Sequence, residues 1–137
     1  MDAKTLTDRD ERLLDRARTT CKGAYDPNFF DGAHIVAAAI RTAAGDSYDG
    51  VSLPANIGRV SQCAEPSAIG TAIADGNAHD DLECAVAVAF DSDVPAVVPP
   101  CGACRELLMD YDIDVIVPLE GVPHRVSPAT LLPTRTW

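Results

Sequence analysis

Cys63-Ala64-Glu65 stands upstream of a second cysteine pair in Pro100-Cys101-Gly102-Ala103-Cys104. Three thiolates hold one Zn²⁺ and leave its fourth tetrahedral position to water. A carboxylate two residues after the first ligand can move protons between that water and a substrate, which makes Glu65 the candidate catalytic residue. Cys63, Cys101 and Cys104 are the candidate metal ligands and Zn²⁺ the expected cofactor. A lone C-x-x-C is a weak signal, whereas C-A-E followed by P-C-x-x-C is a strong one.

Two other chemistries use some of these residues. Cys101 and Cys104 have the spacing of a thioredoxin-like redox pair, but no tryptophan precedes Cys101 and the reading leaves Cys63-Ala64-Glu65 unexplained. A purely structural zinc needs a fourth ligand, which His34, His79 or His124 would supply. That reading gives Glu65 no task. Cys21 and Cys84 lie in apolar surroundings and are expected to be small buried hydrophobes.

The elements that must position these groups follow from the pattern of apolar residues. Thr7 caps a helix running to about Lys22, with Leu13, Leu14, Ala17 and Cys21 on one face, and Tyr25-Asp26-Pro27-Asn28 breaks it. His34 to Thr42 and Tyr48 to Leu53 read as a hairpin about Gly45-Asp46. A loop leads to Cys63, which opens a second helix with Ala64, Ala68, Ile69, Ala72 and Ile73 as its apolar residues and Gly76 at its end. Pro66 is tolerated there because the first turn has no helical partners for its N–H groups. Leu82 to Phe90 is a near-continuous apolar run, as a central strand requires. Pro95, Pro99 and Pro100 form a rigid loop into Cys101, Gly102 to Tyr111 is a third helix, and Val115–Val117 and Val122–Val126 are short strands before a tail with one helical turn. Both ligand segments therefore open helices, where free N–H groups lower a thiol's pKa. Helices interleaved with strands make the class α/β, layered on a mixed sheet, in one domain over residues 1–137.

Composition narrows the partners. The chain has 137 residues, 11 Lys plus Arg against 21 Asp plus Glu, and a net charge of −10. Lys4 and Lys22 are its only lysines, which favours a halophile's surface over a merely acidic one. Such a chain lacks the basic stripe of a polynucleotide binder, so the substrate is expected to be a small molecule and no nucleic-acid polymer. No apolar run is long enough to span a membrane and the first residues do not form a signal peptide, so the expected location is cytoplasmic.

With these residues in place, the chain resembles the zinc-dependent cytidine deaminase family, including its blasticidin-S deaminase relatives, in the three-cysteine version with Cys63 where others carry histidine. Ala24-Tyr25-Asp26-Pro27 is similar to the family's A-Y-x-P, and Leu131-Leu132-Pro133 to its L-L-P. The resemblance implies a three-layer α/β/α sandwich around a mixed five-stranded sheet, hydrolytic deamination with Glu65 as the proton carrier, and a homotetramer whose subunits complete each other's sites, with Trp137 near a neighbour's pocket. Where the family carries N-x-E-N to hold the ribose, this chain has Ser52-Leu53-Pro54-Ala55, with Asn56 next in the loop. The base-lining phenylalanine of the family aligns with His34, and Phe29 and Phe30 stand near it. The backbone of Ala64 or Pro99, close to the metal ligands in sequence, is the candidate to orient the amino group. Family members often follow the C-A-E glutamate with an arginine that offsets three thiolates. Here Pro66 stands there, and Arg105 is the candidate substitute. The expected reaction is cytidine or deoxycytidine to the uridine product plus ammonia. The alternative is another aminopyrimidine, such as a blasticidin S-like nucleoside or a modified base. A non-catalytic zinc protein is the third reading.

Overall fold

The computed structural model describes residues 2–32, 35–90 and 93–135. Helix α1 spans Asp8–Ala24 and starts with a capping box, in which Asp10 N–H donates to Thr7 Oγ1 at 3.2 Å and Thr7 N–H to Asp10 Oδ2 at 3.0 Å. Strands β1 (Val36–Thr42) and β2 (Ser47–Val51) form an antiparallel hairpin. Helix α2 (Ala64–Ala74) follows, then β3 (Leu82–Ala89), a two-residue β4 (Ala96–Val97), helix α3 (Gly102–Asp110), β5 (Asp114–Leu119) and β6 (Val122–Val126).

The main sheet runs β2-β1-β3-β5-β6, and β4 pairs separately with β3. Only β3 and β5 are parallel among these pairs, and α3 lies between them in the chain, as a parallel connection needs. Strand alternation divides the core. Ala37, Ala39, Cys84, Val86 and Val88 pack with Leu13, Leu14, Ala17 and Cys21 of α1. Ala38, Ile40, Ala85 and Ala87 pack with Ala64, Ala68, Ile69 and Ala72 of α2 and Leu108 of α3. The result is helix, sheet and helices in three layers around five main strands. Cys21 and Cys84 are fully buried in the α1 layer, and burial pushes the Cys84 thiol up to about 12.

Small residues set the spacing of these layers. At Gly50 of β2, an added Cβ would fall 2.6 Å from Ala64 O, 2.8 Å from Ser67 C, and against Ala68 N. A real Cβ has no room there, so glycine is what lets β2 lie directly on α2.

Several expectations need correction. Of the strand expected from His34, the described part begins at Val36, and His34 itself lies outside the described residues. β2 stops at Val51, leaving Ser52 and Leu53 beyond it. Ile73 is 39% exposed, because it falls on the side of α2 away from the sheet. The proline loop before Cys101 contains β4, too short to show a strand period. Near the N-terminus, Lys4 pairs with Arg125 of β6 through two backbone bonds of 2.9 Å. The tail does form one turn, a 3₁₀ segment at Pro128–Leu131, and Arg135 ties it to α3 through Asp110 at 2.6 Å and Glu106 at 3.1 Å.

Candidate active site

The Cys63 and Cys101 residues occupy equivalent places, each the N-cap of its helix. Cys101 Sγ accepts the Cys104 N–H at 3.4 Å, so one of the free donors in the first turn of α3 is spent on a ligand sulfur. Cys63 is brought there by a short antiparallel bridge just before it, in which Leu53 and Gln62 exchange N–H···O bonds of 2.9 Å. This bridge closes the loop over residues 54–61 and joins the end of β2 to the start of α2. Around Cys101, Arg105 Nε donates to Pro100 O at 2.9 Å and holds the turn that presents the cysteine. Arg105 is thus engaged with the backbone beside the ligand.

The three sulfurs lie within 4.8 Å of one another, with Cys63 and Cys101 at 3.4 Å. Tetrahedral Zn–S bonds of about 2.3 Å place sulfurs roughly 3.8 Å apart. The donor set fits zinc in number, type and spacing. Cys104 is buried behind the other two, which are open to a cavity of about 290 Å³.

The electrostatics follow from this layering. Glu65 is 5% exposed, and burial raises its carboxyl, partly offset by its own N–H and the Cys104 thiol. The Cys63 thiol is raised by burial and by the neighbouring Cys101 thiol. Burial also acts to raise Cys101, but the Cys104 N–H and the two neighbouring thiols outweigh it and leave Cys101 below the ordinary thiol range. Cys104 is raised by burial and by the charge of Glu65. Cys101, at the helix end, is therefore the thiol poised to ionise first.

Of the residues singled out from the sequence, the structure gathers Ser52, Cys63, Ala64, Glu65, Pro99 and Cys101 around one cavity, with Cys104 beneath it. Pro54 and Asn56 sit in the loop after β2 and are not among the described residues that line it. Phe30 is 48% exposed, in a left-handed turn at φ 47°, edge-on to Phe29, and also absent from the lining. Trp137, like His34, lies outside the described residues. His79 is exposed in a short 3₁₀ turn and His124 is on the outer strand β6, its Nδ1 2.9 Å from Val122 O. Neither joins the sulfur cluster, so the structural-zinc alternative finds no fourth ligand among the described residues. Ser61 and Gln62 line the cavity and were missed; their position immediately before Cys63 was the available signal.

Residues 7–120 match the model of the cytidine and deoxycytidylate deaminase zinc-binding region. The chain belongs to this family. It is 35% identical over 135 residues to blasticidin-S deaminase of Bacillus cereus, covering 95% of this chain and 94% of that protein. It is 28% identical over 101 residues to a cytidine deaminase of Sporosarcina psychrophila, covering 74% and 68%. In fold it resembles the crystal structure of cytidine deaminase from Burkholderia pseudomallei, with a TM-score of 0.74 at 24% identity over 96% of this chain and all of that one. The cytidine deaminase of Bacillus anthracis gives a TM-score of 0.73 at 22% identity, over 91% and 87%.

The protein is thus a zinc-dependent pyrimidine deaminase, an aminohydrolase of the cytidine deaminase family. Cys63, Cys101 and Cys104 would hold the zinc, which when bound would supply Lewis acidity to activate water. The chain's own groups do the rest. Glu65 lies within the first turn of α2, on the cavity wall beside the cluster, where burial raises its carboxyl above the ordinary carboxylate range. Val36, Ala87 and Pro99 give the cavity an apolar wall suited to the faces of a flat ring. No helix among the described residues is long and apolar enough to cross a membrane.

Proposed function

We propose that this enzyme hydrolyses the exocyclic amine of a blasticidin S-like aminopyrimidine nucleoside, releasing ammonia, in preference to cytidine or deoxycytidine. The observation that carries this reading is the set of polar side chains that line the cavity. Among the described lining residues Glu65 is the one carboxylate, and the other polar side chains are the neutral Ser52, Ser61 and Gln62. A ribose diol is best held by a carboxylate that accepts both hydroxyl protons, and none is offered. The 35% identity with a blasticidin-S deaminase over nearly the full length supports the same choice.

In this reading Cys63, Cys101 and Cys104 ligate zinc, Glu65 carries the proton, the Ala64 and Pro99 backbones orient the amine, and Ser52 contacts the sugar-side group. A homotetramer fits the exposed apolar residues near the mouth of the site: Leu53, Ile57, Val60 and Ile35 are 43–64% exposed, and a neighbouring subunit would cover them.

Ammonia release from blasticidin S, cytidine, deoxycytidine and cytosine tests the reading. Loss of one charge-assisted hydrogen bond costs roughly 1.5–3 kcal/mol, so kcat/KM for blasticidin S should exceed that for cytidine by about ten- to a hundredfold. Equal or better turnover of cytidine would overturn the preference, and light scattering showing an active monomer would overturn the assembly.

A further inference from the structure

The chain has nine arginines and a net charge of −10, yet four of those arginines line one cavity of about 260 Å³. Arg9, Arg12, Leu13 and Arg16 come from one stripe of α1, at helical spacing, and Arg41 and Ser47 from the β1–β2 hairpin. This cavity is not the deaminase site. Val36 lines the deaminase cavity and Arg41 lies five residues further along β1, roughly 17 Å at about 3.3 Å per residue. The two cavities also use opposite faces of the sheet, α2 covering one and α1 the other.

The charges near this second cavity are only partly answered. Arg16 Nε meets Asp49 at 2.7 Å and Arg9 reaches Glu83 at 4.0 Å. Arg41 is 4% exposed; its Nη2 meets Asp10 and its Nε meets Glu83, each at 3.0 Å. Both of those carboxylates are shared with Arg125, which also binds Asp114. Five arginines therefore face four carboxylates. Arg12 makes no ion pair among the described residues, and Arg41 Nη1 is buried with no hydrogen-bond partner. A buried donor on a charged group that lacks an acceptor is a standing cost, and it leaves the Arg41 charge behind the cavity incompletely answered.

We propose that this cavity is a binding site for a small oligophosphate, free or as the phosphate tail of a nucleotide, separate from the deaminase centre. Planar guanidinium groups from two elements converge, which is the arrangement that recognises phosphate oxygens in pairs. The cavity is the size of a few phosphate groups rather than of a macromolecular surface. Binding engages Arg12, Arg16 and Ser47 directly, with Arg41 as the buried positive charge behind them.

Thermal unfolding of the zinc-loaded protein, titrated with pyrophosphate at constant ionic strength, tests this. At a hundredfold excess over Kd, the wild-type Tm should rise by about 5–10 °C in a saturable way. Arg12→Glu, an exposed change that leaves the core and the deaminase site intact, should weaken binding at least tenfold. Pyrophosphate also competes for zinc, so zinc content is measured throughout and the difference between wild type and Arg12→Glu is the readout, since stripping acts on both. A nucleoside triphosphate binding more tightly than pyrophosphate identifies a nucleotide; equal binding identifies the free oligophosphate. No rise beyond that of matched sodium chloride, or an equal rise in Arg12→Glu, overturns the proposal. So does a change of oligomeric state in Arg12→Glu without any phosphate response, which would assign the cavity to a carboxylate of a second copy.

Discussion

Two acidic side chains are buried among the described residues, and the protein treats them in opposite ways. Glu65 is 5% exposed and Asp10 is 0% exposed. Burial alone raises any carboxyl, because it disfavours the charged form. At Glu65 that cause prevails, and the side chain has thiols and a cavity for neighbours but no arginine. At Asp10 burial is outweighed by the Thr7 N–H and hydroxyl and by Arg41, and the carboxyl falls below its usual range. The lesson is that partner choice, not burial, decides which way each buried carboxyl moves. Glu65 sits among thiols at one end of the sheet, whereas at the other Asp10, Arg41, Glu83 and Arg125 tie α1, β1, β3 and β6 together.

The largest test of that contrast is Glu65→Gln. Removing a positioned proton carrier typically forfeits about 10²–10⁴-fold in rate, and deamination needs proton transfer more than once, so a loss of at least three orders of magnitude is expected. Stability should be unchanged or slightly higher, since a poorly solvated acid is replaced by a neutral amide. Zinc content should stay at wild-type level, because the three sulfurs remain. Stopped assays of ammonia release, metal analysis and a melting curve on the same preparation check all three. Loss of zinc in this variant would mean Glu65 supports the metal site and is not simply a proton carrier.

Asp10→Asn should give the opposite pattern. Breaking a buried charge pair by removing one partner costs about 3–5 kcal/mol, here moderated because Arg41 keeps Glu83. A fall of about 3 kcal/mol in unfolding free energy, read from denaturant midpoints, is expected, with kcat per folded molecule within about twofold of wild type. A variant that unfolds normally but deaminates slowly would show that the two ends of the sheet are coupled.

Much of this organisation was legible before the fold was known, and the reason differs by element. The C-A-E and P-C-x-x-C segments were readable because metal ligation demands particular residue types at short spacings, and both helices begin where the cysteines stand. Helix α1 was readable from Thr7 and the spacing of Leu13, Leu14, Ala17 and Cys21. The Asp10–Arg41–Arg125 cluster was not, since its members are scattered over 115 positions and each reads alone as a surface charge. The wall expected from residues 52–56 was half legible: Ser52 lines the cavity, but Pro54 and Asn56 do not, because the Leu53–Gln62 bridge turns the chain just there. Ser61 and Gln62, on the returning arm, take that wall instead.

Gly50 belongs with the illegible features. One residue of a strand, it touches α2 backbone at Ala64 and Ser67, within the turn that carries Glu65. Gly50→Ala must push α2 outward, at a cost of about 1–3 kcal/mol for overpacking. It should also lower kcat/KM by about tenfold or more, since a displacement near 1 Å at a catalytic group is enough for such losses. Stability and activity falling together is the expected result. A drop in stability alone would place the strain on the far side of α2, away from Glu65.

The smallest expected effect is a matter of pH. A carboxyl whose folded value is depressed contributes stability that is fully present above its unfolded value and lost as pH falls through the folded one. For Asp10 the reference value is 3.8 and the folded value lies below it, so its contribution should persist at neutral pH and decline below about pH 4. The chain holds 21 acidic residues, and many will titrate in the same window, so the wild-type curve alone is uninformative. The difference between wild type and Asp10→Asn isolates the one group. That difference should be constant from about pH 7 to 5 and then shrink as the pH is lowered, at a limiting slope of about 1.4 kcal/mol per pH unit for one proton. Urea midpoints measured from pH 7 to 2.5 on both proteins provide the curve. A difference that stays flat to the lowest pH would mean that Asp10 acts through its shape in the helix cap and not through its charge, and the contrast with Glu65 would then rest on geometry rather than on ionisation.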